Sequence, residues 1–249
     1  MFDEIRGDFR NQPKVSVVLI LTTIALTSIL LIEPRLETTF GVHDNYGVSF
    51  LTRMTVPFCH GYNPSSALVN LGINFILMYF IGTFLEKIIG GFRFLLITLA
   101  SYTLYVLIHR FMLLIGNGFT PIIMTYSGVM FIVIFEGRYV KTNTVFDDYY
   151  RTLWAIQGAT WLLLPILFSI IPIYFDSNFN VWEKILYGNI SNISCGILGI
   201  ILGYVFRQHI RTKLVQRTRK KYLKHTNLDE KSWIFAFGFA LFLILKFFI

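Results

Sequence analysis

Cys59 and Cys195 are the only thiols in a chain of 249 residues. That is too few for a disulfide framework, and both read as small apolar residues. Charge is also scarce: 14% of the residues are charged and 55% are hydrophobic, with a mean hydropathy of +0.61. A soluble domain needs more charged surface than this, so the composition points to a polytopic membrane protein. Acidic residues are the rarer sign, 14 against 22 Lys and Arg, which leaves a net charge of +8. In a soluble protein that excess would suggest nucleic acid. Here the cations fall between apolar runs, which makes them a topology signal and argues against nucleic acid as the partner. Internal repeats and low-complexity tracts are absent from the sequence. The first apolar run also lacks a small-residue cleavage site, so no removal of a signal peptide is expected.

Apolar runs dominate what remains. A helix crosses a hydrocarbon core of about 30 Å with about 20 residues. Six segments approach that length: Val15–Ile32, Ala67–Leu85, Phe94–Ile108, Pro121–Phe135, Leu153–Tyr174 and Ile190–Phe206. A seventh, Trp233–Ile249, closes the chain. With the N-terminus in the cytosol, Arg6, Arg10, Lys14, Lys87, Arg93, Arg138, Lys141, Arg151 and the basic run from Arg207 to Lys231 share one side. Only Arg35, Arg53, Arg110 and Lys184 fall on the other, so the positive-inside rule favours that orientation. The expected organisation is a cytosolic N-terminus over 1–14, a transmembrane core over 15–206, a basic cytosolic linker over 207–232 and an extra hydrophobic helix over 233–249. The basic run reads either as a topology anchor or as a surface helix drawn to anionic lipid or an acidic partner. The loop from Glu33 to Ser66 carries three prolines and five aromatics with few charges, which suits a loop packed on the helices at the interface.

Polar groups at membrane depth are costly unless paired, so they mark candidate sites. Asn70 and Asn74 are four apart on one helical face, Ser127 and Gly128 lie near the start of the fourth segment, and Asn192 opens the sixth. The topology puts all four polar residues in the first turns of helices running from lumen to cytosol. A cluster at one depth is therefore expected. The alternative is that each amide or hydroxyl only bonds a neighbouring helix, and that Gly199 and Gly203 form a packing seam.

These residues resemble the rhomboid-like superfamily. In "NLGINFILMYFIGTFLEKIIGGFRFL" the family's Asn, Gly and Leu-Glu pair fall on Asn74, Gly82, Leu85 and Glu86, and its His falls on Asn70. "TRMTVPFCH" keeps the family's Arg and His as Arg53 and His60, with Thr52 in place of its Trp. "TYSGV" resembles the Gly-x-Ser-Gly nucleophile motif through Ser127 and Gly128, with Thr125 in place of the first glycine. In the sixth segment Gly199 and Gly203 match, and Asn192 occupies the position of the catalytic His. The resemblance spans about Thr52 to Tyr204. It implies an all-α bundle with a six-helix rhomboid-like core plus the C-terminal helix.

A serine hydroxyl attacks an amide only when a base takes its proton, and an asparagine amide has no useful basicity. His60 and His109 lie toward the lumenal side, but the fold would aim neither at Ser127. Asn70 and Asn74 keep donors that could face an oxyanion. The expectation is therefore a pseudoprotease without catalytic residue, cofactor or metal, similar to derlins and to the rhomboid-like subunits of membrane ubiquitin-ligase complexes. By resemblance its partners are lipid and other membrane proteins, both clients and complex subunits, with a ubiquitin ligase among the candidates. Its implied place is the endoplasmic reticulum or a Golgi or endosomal membrane. The alternative is an active intramembrane serine protease that uses Ser127 with a base not recognised in the sequence.

Overall fold

The computed structural model describes residues 13–36, 54–58, 64–112, 118–137 and 181–221. The expected fifth span, the C-terminal helix, Arg53 and His60 lie outside the described residues. The described part is helical, with no strand among the described residues: α1 is Lys14–Ile32, α2 Pro64–Leu77, α3 Thr83–Ile89, α4 Gly91–Met112, α5 Thr120–Gly137, α6 Val181–Val205 and α7 Arg207–Lys221. A π-helical turn over Met78–Gly82 joins α2 to α3, with helical dihedrals at both junctions. The segment read as one span, Ala67–Leu85, is thus one continuous helical path from Pro64 to Ile89.

Among the described residues, two helices are long and apolar enough to cross a membrane, Lys14–Ile32 and Gly91–Phe111. A third is added if the pair Ile190–Val205 and Arg207–Val215, bent by 65°, counts as one span. The 19 residues of α1 rise about 29 Å at 1.5 Å each, close to the thickness of a hydrocarbon core. The distribution of side chains supports a lipid environment more strongly than length does. On α1 the buried positions include Ser16, Thr23 and Thr27, while Leu21 is 59% and Ile32 81% exposed. On α4 Thr98 and Ser101 are buried, while Phe92 is 75% and Phe111 78% exposed. In water that arrangement would be inside out. In lipid the apolar face needs no cover, and small polar residues turn inward to bond across or along helices.

Glu86 locks α1 to the α2–α3 path. Its carboxylate accepts from the Val15 amide at 3.0 Å, the Ser16 amide at 2.8 Å and the Ser16 hydroxyl at 2.8 Å. Those amides belong to the first turn of α1, where no intrahelical acceptor exists and the helix dipole favours negative charge. Pro13, the residue before α1, makes no side-chain cap, so Glu86 does that work from 70 residues away. The path then reverses at Gly90, whose φ of 86° lies in the left-handed region. Its amide returns to the Glu86 carbonyl at 2.9 Å before α4 begins.

Helices α5 and α6 form the tightest contact. A Cβ at Gly199 would lie 2.1 Å from the Thr125 carbonyl oxygen, and one at Gly128 2.3 Å from that of Gly196. Backbone touches backbone there, which only glycine allows. Where α6 ends, α7 turns and buries Ile210 and Leu214 in the main apolar core beside Leu85 and Ile88. The fully buried Glu136, near the end of α5, accepts from Arg207 Nε at this bend. Part of the expected basic linker is therefore a helix packed across the end of the bundle. At the other end the segment 54–58 packs inward: Tyr102 donates to the Met54 carbonyl at 2.6 Å, and Thr27 to the Phe58 carbonyl at 3.2 Å. The Phe58 ring rests 6.1 Å from that of Tyr102 and 5.8 Å from that of Phe119. This part of the long aromatic loop lies on the helices, as its composition suggested.

Candidate functional site

Helices α4, α5 and α6 bring a set of small polar residues into the core. Thr125 is central, donating to the Cys195 carbonyl at 3.0 Å with its hydroxyl 2.6 Å from that of Ser101. Thr98 donates to the Phe94 carbonyl at 2.8 Å and lies 2.8 Å from the Tyr126 hydroxyl. All four hydroxyl residues are buried. Thr98, Ser101 and Tyr126 were not singled out in the sequence, although Phe94, Ile97, Thr98, Ser101 and Tyr105 repeat at helical spacing and so share a face. The Thr125 hydroxyl thus has two partners at the seam.

Ser127 is fully buried, and its hydroxyl donates to the Ile123 carbonyl of its own helix at 3.1 Å. Asn192 is buried at the start of the glycine-bearing stretch of α6, and Asn74 is buried on α2. The Thr120 hydroxyl donates to Asn74 Oδ1 at 3.2 Å. Asn70 is exposed, one turn before Asn74. Gly82 lies on the π-helical turn, where a Cβ would meet the flexible Met78 thioether at 2.9 Å.

The common depth expected for Asn70, Asn74, Ser127 and Asn192 does not hold. Helices α5 and α6 run parallel, since Met124 meets Gly196, Gly128 meets Ile200 and Ile132 meets Gly203. Followed back along both helices, that register brings Asn192 level with the first turn of α5. There Thr120 already holds Asn74. Ser127 sits a further turn and a half to two turns along, about 8–10 Å at 1.5 Å per residue, close to the level of Gly199. Spacing within each helix could not fix this axial offset between helices.

No hydrogen bond joins Ser127 to a titratable side chain among the described residues. His109 packs on Tyr105, with ring centroids 4.2 Å apart. It lies eight residues beyond Ser101 toward the opposite end of α4, about 15 Å along the bundle from Ser127. Among the described residues there is no group of three or more His, Cys, Asp or Glu able to hold a metal ion. The arrangement therefore offers hydroxyl and amide hydrogen bonds between helices, and a serine whose proton is directed at a backbone carbonyl.

Comparison with protein-family models, with curated proteins and with solved structures gives no match.

Proposed function

We propose that the chain is a rhomboid-like pseudoprotease that recognises or scaffolds other membrane proteins in secretory-pathway quality control. In this reading a six-helix core and the C-terminal hydrophobic helix sit in the endoplasmic reticulum or a Golgi or endosomal membrane, with the N-terminus cytosolic. Binding, without cleavage, is the activity that the residues support. The observation that carries the non-catalytic part of the reading is the state of Ser127, buried and bonded to the Ile123 carbonyl; its offset from Asn192 counts against Asn192 standing where the family pattern has its histidine. A nucleophile needs its proton taken by a base within hydrogen-bond reach, and this hydroxyl faces a carbonyl.

The resemblance itself draws support from the seam. Gly128, Gly199 and Gly203, the glycines shared with the family pattern, lie at the closest approaches between α5 and α6. Glu86, also shared, makes a long-range polar anchor to the start of α1. The inward-facing hydroxyls leave the outer surfaces to Leu, Ile and Phe, a surface suited to contact with lipid and with the helices of other membrane proteins.

Affinity purification of the full chain in mild detergent tests the proposal. Membrane-protein clients and ligase or extraction subunits should copurify, and loss of the chain should lengthen client half-lives. Recovery of the chain alone, with unchanged half-lives, would refute the binding role. Cleavage of a membrane substrate that is lost on Ser127→Ala would favour the protease alternative.

A further inference from the structure

We propose that the edge between the first turn of α4 and helix α7 seats the phosphate of an anionic phospholipid headgroup, with Arg93 and Lys213 as its ligating cations. Arg93 Nη1 lies 3.4 Å from His209 Nε2, so two helices distant in sequence meet here through a cation and an imidazole. Lys213 is close enough that its charge, with that of Arg93, acts on the same imidazole. Burial first, and then these two cations, push the His209 pKa below its ordinary value, so near pH 7 the ring is neutral and accepts from the guanidinium. Neither Arg93 nor Lys213 has a carboxylate partner among the described residues. Of the two buried carboxylates among the described residues, Glu86 accepts from the start of α1 and Glu136 Oε1 from Arg207. Converging cations repel one another, and a shared anion removes that cost.

Three features select a lipid as the source of the phosphate. Helix α7 carries seven Lys or Arg and no Asp or Glu in its 15 residues. Its Ile210 and Leu214 are buried while Arg211 and Lys213 are exposed, so these two cations lie off its buried side. Beside Arg93, the residues Phe92, Leu96 and Leu99 of α4 are exposed along a helix able to cross a membrane. An anionic head with an apolar tail matches that junction, whereas inorganic phosphate would use only half of it.

The experiment uses the purified full chain in mild detergent, titrated with phosphatidylglycerol or phosphatidylcholine and read by native mass spectrometry. Phosphatidylglycerol adducts should exceed phosphatidylcholine adducts. The double variant Arg93→Gln/Lys213→Gln should weaken phosphatidylglycerol binding by about 25-fold, at about fivefold per cation. Arg35→Gln, which removes an exposed charge at the opposite end of α1, should leave it unchanged. The charge-conserving Arg93→Lys/Lys213→Arg should retain most of the binding, which separates a lost site from a lost fold. Equal adducts of both lipids, full binding by the double variant, displacement by equimolar inorganic phosphate, or an acidic protein held at the site in place of lipid would each overturn the proposal.

Discussion

Replacing Glu86 should destabilise the bundle more than replacing any exposed carboxylate, because one side chain caps a helix that begins 70 residues earlier. Three hydrogen bonds to its carboxylate are lost in Glu86→Ala. Hydrogen bonds to a charged group contribute about 1.5–3 kcal/mol each, and negative charge at a helix N-terminus up to about 2 kcal/mol. These terms overlap, and water admitted to the new space would satisfy some of the freed donors. A net cost of about 3 kcal/mol is therefore expected for Glu86→Ala. Glu86→Gln keeps one acceptor but turns an amide donor toward the amides of α1, for about 2 kcal/mol. At about 2–4 °C per kcal/mol for a chain of this size, the alanine variant should melt about 6–12 °C lower. Cys195 is a buried free thiol, so a thiol-reactive fluorogenic dye on a Cys59→Ala background reports unfolding in detergent. Glu33→Gln, at an exposed residue, is the control. A melting temperature for Glu86→Ala within about 2 °C of the parent would refute the reasoning, since the cap would then contribute less than about 1 kcal/mol.

The seam between α5 and α6 predicts a graded response. Gly199→Ala and Gly128→Ala drive a methyl into a backbone carbonyl at 2.1 and 2.3 Å and should each cost about 3 kcal/mol or more by the same dye assay. Gly82→Ala meets only the flexible Met78 side chain and should cost less, while Gly72→Ala meets nothing within 4 Å and should be neutral or slightly stabilising. Equal melting temperatures across the four would contradict the contact. His209 predicts a pH effect: its folded pKa lies below the ordinary 6.5, so its contribution is complete above that value and is lost as pH falls through the lowered one. Melting curves from pH 7.5 downward should show this loss in the parent and a shallower slope in His209→Gln, and parallel slopes would contradict it.

The positions of α1, α5 and the glycine-bearing part of α6 were legible in the sequence because a sustained apolar run marks a buried or lipid-facing helix, although α5 is shorter than the candidate spans. Gly199 and Gly203 could be read as a seam because small residues at this spacing share a helical face, whereas the part of Gly128 in it was not legible. The α4 helix was underestimated: Phe94–Ile108 is the apolar centre of Gly91–Met112, whose ends carry Arg93, His109 and Arg110. The partner of Glu86 was not legible, since nothing local links it to Ser16. Nor was the axial offset of Ser127 from Asn192, which depends on how far α6 slides along α5. The backbone contacts at Gly128 and Gly199 set that distance. Thr98 and Ser101 escaped notice because a buried hydroxyl near a carbonyl leaves no sequence signature beyond helical spacing, and Thr125 was read only as a replaced glycine.

Fluorophosphonate labelling of the purified full chain, read by intact mass and peptide mapping, tests the non-catalytic character of Ser127 most directly. An active membrane-embedded serine hydrolase, treated in parallel, verifies the reagent in the same detergent. With the hydroxyl buried and donating to the Ile123 carbonyl, the parent and Ser127→Ala should both remain unmodified. A stoichiometric adduct on Ser127 that is absent from Ser127→Ala would contradict the account, because it would require an activated nucleophile and an accessible site.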